Sequence, residues 1–115
     1  VLERLRVIAP LTAVLGNVDL PLFEGQVPRE AEGEVVGVRI FVCHVGSSLM
    51  GRHDPVVERV DMVVTGHSHR AAIEWRRGTL FLDPGYAGRP RFGLPRSAAL
   101  VSVGDGSLEP GIVLL

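Results

Sequence analysis

Apolar residues fall in short runs that end in polar, glycine-containing clusters, and this repetition is the main signal along the chain. Met62-Val63-Val64 has the β-branched content of a buried strand and stops at Thr65-Gly66, with His67 and His69 directly after it. Gly66 gives the backbone freedom for the turn that follows. Val35 to Cys43, VVGVRIFVC, predicts one continuous strand that delivers His44 at its end. Thr12 to Leu15 predicts a short buried strand running into Gly16-Asn17-Val18-Asp19. Three strand ends therefore present nitrogen or oxygen donors: Asn17, His44 and the His67/His69 pair. In open α/β sheets such ends converge on one crevice, so the site is expected there.

The remaining pattern is read in the same way. Leu2, Leu5 and Ile8 stand at helical spacing with charges between them, so residues 1–8 predict the last turns of a helix whose beginning is missing, and Pro10 ends it. Residues 20–34 read as a surface loop with an edge strand from Glu30. Asp54 to Arg59 predicts a short helix, with Asp54 as cap and Pro55 at its first position. After His69, the stretches Ala71 to Trp75, Thr79 to Leu82, Ser97 to Val103 and Leu108 to Leu114 predict an antiparallel meander closing the fold. Asp61 is expected to face solvent or cap the preceding helix, and Trp75 and Phe92 to pack.

Composition bounds the function. At 115 residues the chain is one domain at most, and with 46% apolar residues it is not a disordered segment. A net charge of −1 gives no electrostatic case for nucleic acid or an anionic membrane, and no apolar run reaches transmembrane length. All 12 basic residues are Arg, which suggests a GC-rich genome. The single cysteine, Cys43, excludes an internal disulfide and fits a reducing, cytoplasmic setting as a small buried strand residue. No signal peptide is read at the start.

Neutral imidazoles suit Zn, Mn, Fe or Ni, and an amide oxygen usually joins such a set where more than one ion is held. Sites of this kind hydrolyse phosphoesters, because paired ions hold the phosphate oxygens and activate a water. The guanidinium fork matches phosphate, so Arg70, Arg89, Arg91 and Arg96 are candidate substrate contacts, with Arg89 and Arg91 reading more simply as turn charges. His53, beside Gly51, Arg52 and Asp54, reads as a solvated loop residue.

GNVD at 16–19, a strand ending in His44, GHSH at 66–69 and DPGYAGRPRFGLPRS at 83–97 together resemble the later motifs of calcineurin-like metallophosphoesterases, most nearly the small phosphodiesterases of the YfcE type. That family reads GNxD, His-Gly-His after a strand, GHTH, and NPGS followed by Pro-Arg. The resemblance implies an α/β, metallophosphoesterase-like two-sheet β-sandwich flanked by helices and truncated at its N-terminus, with residues 1–115 a single, partial domain. It implies that Asn17, His44 and His67 bind one ion and His69 another, that Asp19 orients the Asn17 loop, and that Arg96 meets the substrate phosphate. It implies a divalent cofactor, Mn first, with Zn, Fe or Ni possible.

Departures from the pattern carry their own expectations. Val18 stands where many members place a general-acid His, Val45-Gly46 replaces Gly-His, Asp83 replaces Asn, and Tyr86 replaces Ser. The early Asp-x-His and Gly-Asp motifs, which supply three ligands including the bridging carboxylate, are absent. The chain is thus expected to hold one ion weakly and to be inactive alone, either as a fragment of a longer phosphoesterase or as a truncated, non-catalytic relative. Its partners would be a small phosphoester and, through unpaired sheet edges, a second copy of itself. The alternative is a protein-binding scaffold of the same fold, as the retromer subunit is. A mononuclear amidohydrolase fits poorly, for lack of an eight-fold βα pattern.

Overall fold

The computed structural model describes residues 2–14, 28, 30–44, 59–66, 68–89, 93–104 and 107–115. In chain order the elements are α1 (Leu2–Ile8), β1 (Glu30–Val35), β2 (Val38–Cys43), β3 (Met62–Val64), β4 (Ala71–Arg76), β5 (Thr79–Pro84), β6 (Ser97–Gly104) and β7 (Ser107–Leu114). β2, β3 and β5 run parallel with β3 between the others, and their runs are apolar on both faces, as strands covered from two sides require. β1 and β4 pair antiparallel at the two edges, giving the order β1-β2-β3-β5-β4. β6 and β7 form a second, two-stranded antiparallel sheet.

Side-chain alternation divides the core between the faces of the mixed sheet. On one face Met62, Leu80 and Leu82 meet Ala99, Val101, Leu108 and Ile112 of the second sheet, so the two sheets form a sandwich. On the other, Phe41, Cys43, Val60 and Val63 cluster with Phe81. The Arg76 guanidinium lies 4.7 Å over the Phe81 ring, and Glu74 holds that guanidinium at 2.9 Å. Val63 and Leu80 have no exposed surface, and each stabilises the fold by about 1.5–3 kcal/mol through burial.

Several expectations are corrected. Residues 35–43 are not one strand: the chain reverses at Val36-Gly37, whose φ values of 49° and 79° make a two-residue hairpin turn. A β-branched residue in the left-handed region is sterically unfavourable, which is why Val35-Val36-Gly37 reads locally as strand interior. Residues 11–14, the described part of the strand expected from Thr12, lie outside any strand, because no described strand pairs with them. The meander is also divided. β5, buried along its length, inserts parallel to β3, whereas β6 and β7, which alternate between half-buried and exposed positions, make their own sheet.

The helix at residues 1–8 is present as α1, but Leu5, Val7 and Ile8 are exposed. Trp75 is half-exposed because β4 is an edge strand whose six residues all face outward from cover. Asp61 does not simply face solvent: it accepts the Arg39 amide at 2.7 Å, closing the start of the β2–β3 ladder, and the helix it was expected to cap lies outside the described residues. The expected helix at Asp54 and the packing role of Phe92 lie outside the described residues. No described helix is long and apolar enough to cross a membrane.

Candidate functional site

The three parallel strands finish at one edge of the mixed sheet, and their ladder continues past the last strand residues. The Gly66 amide donates to the His44 carbonyl at 2.9 Å, and the Thr65 amide donates to the Leu82 carbonyl at 2.9 Å. His44 after β2, the Gly66–Arg70 loop after β3 and the Asp83–Tyr86 segment ending β5 are thereby brought side by side. The His44 ring lies over Gly66, where a Cβ would sit 3.4 Å from His44 Nδ1, so a side chain at position 66 would press on the imidazole. This is the physical use of that glycine.

The loop carrying His69 is tied to the end of β5 at two points. Ser68 Oγ donates to Asp83 Oδ2 at 2.6 Å, and the Gly85 amide donates to Asp83 Oδ1 at 2.9 Å. Both carboxylate oxygens of this buried residue are engaged within the protein, so Asp83 holds the loop together and is not arranged as a ligand. Ser68 Oγ also accepts the Arg70 amide at 3.1 Å, which tightens the turn. His69 has φ 60°, buries its Nδ1, and stacks on Tyr86 with ring centroids 4.2 Å apart and 7° between planes. Behind them, Ser97 Oγ donates to the Pro84 carbonyl at 2.8 Å, and the Ser97 amide donates to the Tyr86 carbonyl at 3.0 Å. Gly85, at φ 87°, packs so closely on Ser97 Oγ that a Cβ there would collide with it.

Of the residues expected from sequence, His44 and His69 stand at this edge; Asn17, Asp19 and His67 lie outside the described residues. Arg96 is exposed, one residue before Ser97. Among the described residues no group of three or more His, Cys, Asp or Glu side chains is placed to hold an ion. The donor type nevertheless fits a divalent transition metal: two imidazoles reach the edge, and His67 lies between Gly66 and Ser68 in sequence. Cys43 is buried in the apolar cluster with Phe41, Val60 and Val63, and that burial pushes its thiol up from 9.0. Sequence reasoning noted Asp83 and Tyr86 only as departures; Asp-Pro-Gly directly after an apolar run is a turn signal that marks the segment.

Comparison with known proteins gives the family and the fold. The family model for the calcineurin-like phosphoesterase superfamily domain matches residues 1–106. A probable metallophosphoesterase of Methanocaldococcus jannaschii is 32% identical over 112 residues, covering 91% of this chain, and the chain spans 55% of that relative's length. Among solved structures, Zn-complexed Vps29 of Entamoeba histolytica shares the fold at a TM-score of 0.71 and 21% identity, over 98% of this chain and 74% of its own. A novel archaeal phosphodiesterase gives a TM-score of 0.67 and 17% identity, over 91% of this chain and 70% of its own.

Proposed function

This chain belongs to the calcineurin-like phosphoesterase superfamily, a metal-dependent family, and from that premise we propose that it carries part of a divalent-metal site for phosphoester hydrolysis. The observation that supports this reading most is the meeting of His44 and the His69 loop at the carboxyl edge of β2, β3 and β5, joined by the Gly66–His44 hydrogen bond. Asn17, His44 and His67 are the donors for one ion and His69 for a second, with Asp19 orienting the Asn17 loop. Mn is the first candidate, followed by Zn, Fe and Ni. When bound, such ions supply Lewis acidity for phosphoryl transfer to water.

The chain's own residues prepare that chemistry by position. Asp83 and Ser68 fix the loop, and the hydrogen-bonded strand ends keep His44 and Gly66 in register. Arg96 offers a guanidinium to a substrate phosphate. Val18, at the position where a general-acid His stands in the family pattern, cannot protonate a leaving group, so the substrates favoured are those with acidic leaving groups. A small phosphoester is the proposed substrate, and the cytoplasm the proposed setting.

A test is hydrolysis of bis-(p-nitrophenyl) phosphate by the 115-residue chain with added Mn²⁺. Turnover that needs Mn²⁺ and is lost in His69→Ala supports the reading, and turnover unaffected by that substitution opposes it. A second reading, a protein-binding scaffold on this fold, is favoured by the half-exposed Ile73 and Trp75 of edge strand β4, and a second copy pairing at such an edge is its simplest partner. Metal binding without turnover is the result expected of a chain that carries part of the site, and no metal binding at all would favour the scaffold.

A further inference from the structure

The family pattern carries Ser where this chain has Tyr86, and a serine cannot stack on an imidazole. We infer that Tyr86 is a positioning residue for His69, holding the imidazole plane before any ion arrives; this rests on the metal reading above. The two rings are nearly parallel, 7° apart in plane, at a centroid separation of 4.2 Å. A stack of that kind restricts rotation of the imidazole about its side-chain bonds.

The base of the Tyr86 ring is itself fixed. The Tyr86 carbonyl accepts the Ser97 amide at 3.0 Å, and the preceding Gly85 leaves no room between its α-carbon and Ser97 Oγ. One residue further back, Pro84 is held by Ser97 Oγ at 2.8 Å. The base of His69 is fixed too. Its φ of 60° is uncommon for a residue with a Cβ and persists only where the surroundings impose it. Ser68, its neighbour, supplies that constraint through the 2.6 Å bond to Asp83. The same two segments are therefore joined once by a hydrogen bond and once by a ring stack, and the second contact acts on the ligand side chain itself. A ligand held in its binding orientation loses less freedom on capturing an ion, which raises affinity without a new bond to the metal.

Tyr86 is the only tyrosine in the chain, so the contact has clean spectroscopic markers. The test uses the 115-residue chain and its Tyr86→Phe, Tyr86→Leu and Tyr86→Ser variants, with far-UV circular dichroism as the check of folding. Without metal, proton NMR should show His69 ring protons shifted upfield by the stacked ring in the parent and in Tyr86→Phe, and not in the other two. With Zn²⁺ in competition against a chromophoric chelator, Tyr86→Phe should bind as the parent does, and whichever non-aromatic variant stays folded should bind about tenfold more weakly. Equal Zn²⁺ affinity in all folded variants would overturn the positioning role and leave the metal reading standing. No Zn²⁺ uptake by the parent, with the upfield shift intact, would overturn the metal reading and the positioning role with it.

Discussion

The two ends of the mixed sheet use glycine differently. At the amino end of the parallel strands, Val36-Gly37 and Arg77-Gly78 turn the β1–β2 and β4–β5 hairpins with paired positive φ values, and a Cβ on Gly37 or Gly78 would meet nothing within 4 Å. At the carboxyl end, Gly66 and Gly85 sit against His44 and Ser97, where a Cβ would press or collide. One end needs backbone freedom alone, and the other needs space, at Gly85 together with that freedom. The difference separates a part of the fold that only reverses the chain from a part that brings three strand ends close enough for their side chains to act together.

Substitutions at the two ends should therefore differ in size and in kind. The largest loss is expected for Gly85→Ala, which combines left-handed strain with a collision at Ser97, on the order of 3 kcal/mol or more by urea unfolding. Asp83→Ala should come next, about 1–3 kcal/mol, because it removes the acceptor of both Ser68 Oγ and the Gly85 amide. Asp83→Asn should recover part of that, since one amide oxygen still accepts. At the other end, Gly78→Ala should cost only the backbone term, about 1–2 kcal/mol. If Gly78→Ala proved as costly as Gly85→Ala, the contrast between the ends would disappear. Val36→Asn should go the other way, stabilising the hairpin by up to about 1 kcal/mol, because Asn accepts the left-handed conformation that Val36 is forced into.

The smallest effect is a pH dependence from the buried thiol. Burial raises Cys43 above its ordinary value of 9.0 in the folded chain. The unfolded chain then loses its proton first, so stability is undiminished below the ordinary thiol range and falls as pH climbs toward the raised native value. Chemical denaturation at pH 8 and pH 10 should show the decline, and Cys43→Ala should remove it.

Much of this was legible in the chain. The apolar runs at 62–64, 79–82, 97–103 and 108–114 announce β3, β5, β6 and β7, because a buried strand must carry β-branched or aliphatic side chains whatever its neighbours are. His44 and His69 are read from the polar clusters that follow the runs at 35–43 and 62–64. What local patterning hides is pairing. Nothing in Thr79–Leu82 says that β5 lies parallel to β3, and the hairpin at Val36-Gly37 is masked by a valine in a conformation that valine disfavours. Ser68 and Asp83 are 15 positions apart, and only the parallel register of β3 and β5 makes them neighbours. Tyr86 under His69 is hidden for the same reason. Asn17 and His67, expected as donors from the sequence, lie outside the described residues.

The central claim, that this sheet edge holds a divalent ion, is tested most directly by equilibrium dialysis of the 115-residue chain against Mn²⁺, with elemental analysis of the retained metal. Saturable uptake in the parent, diminished in both His44→Ala and His69→Ala while the fold persists, is the expected result. No uptake, or uptake that neither substitution diminishes, would contradict it.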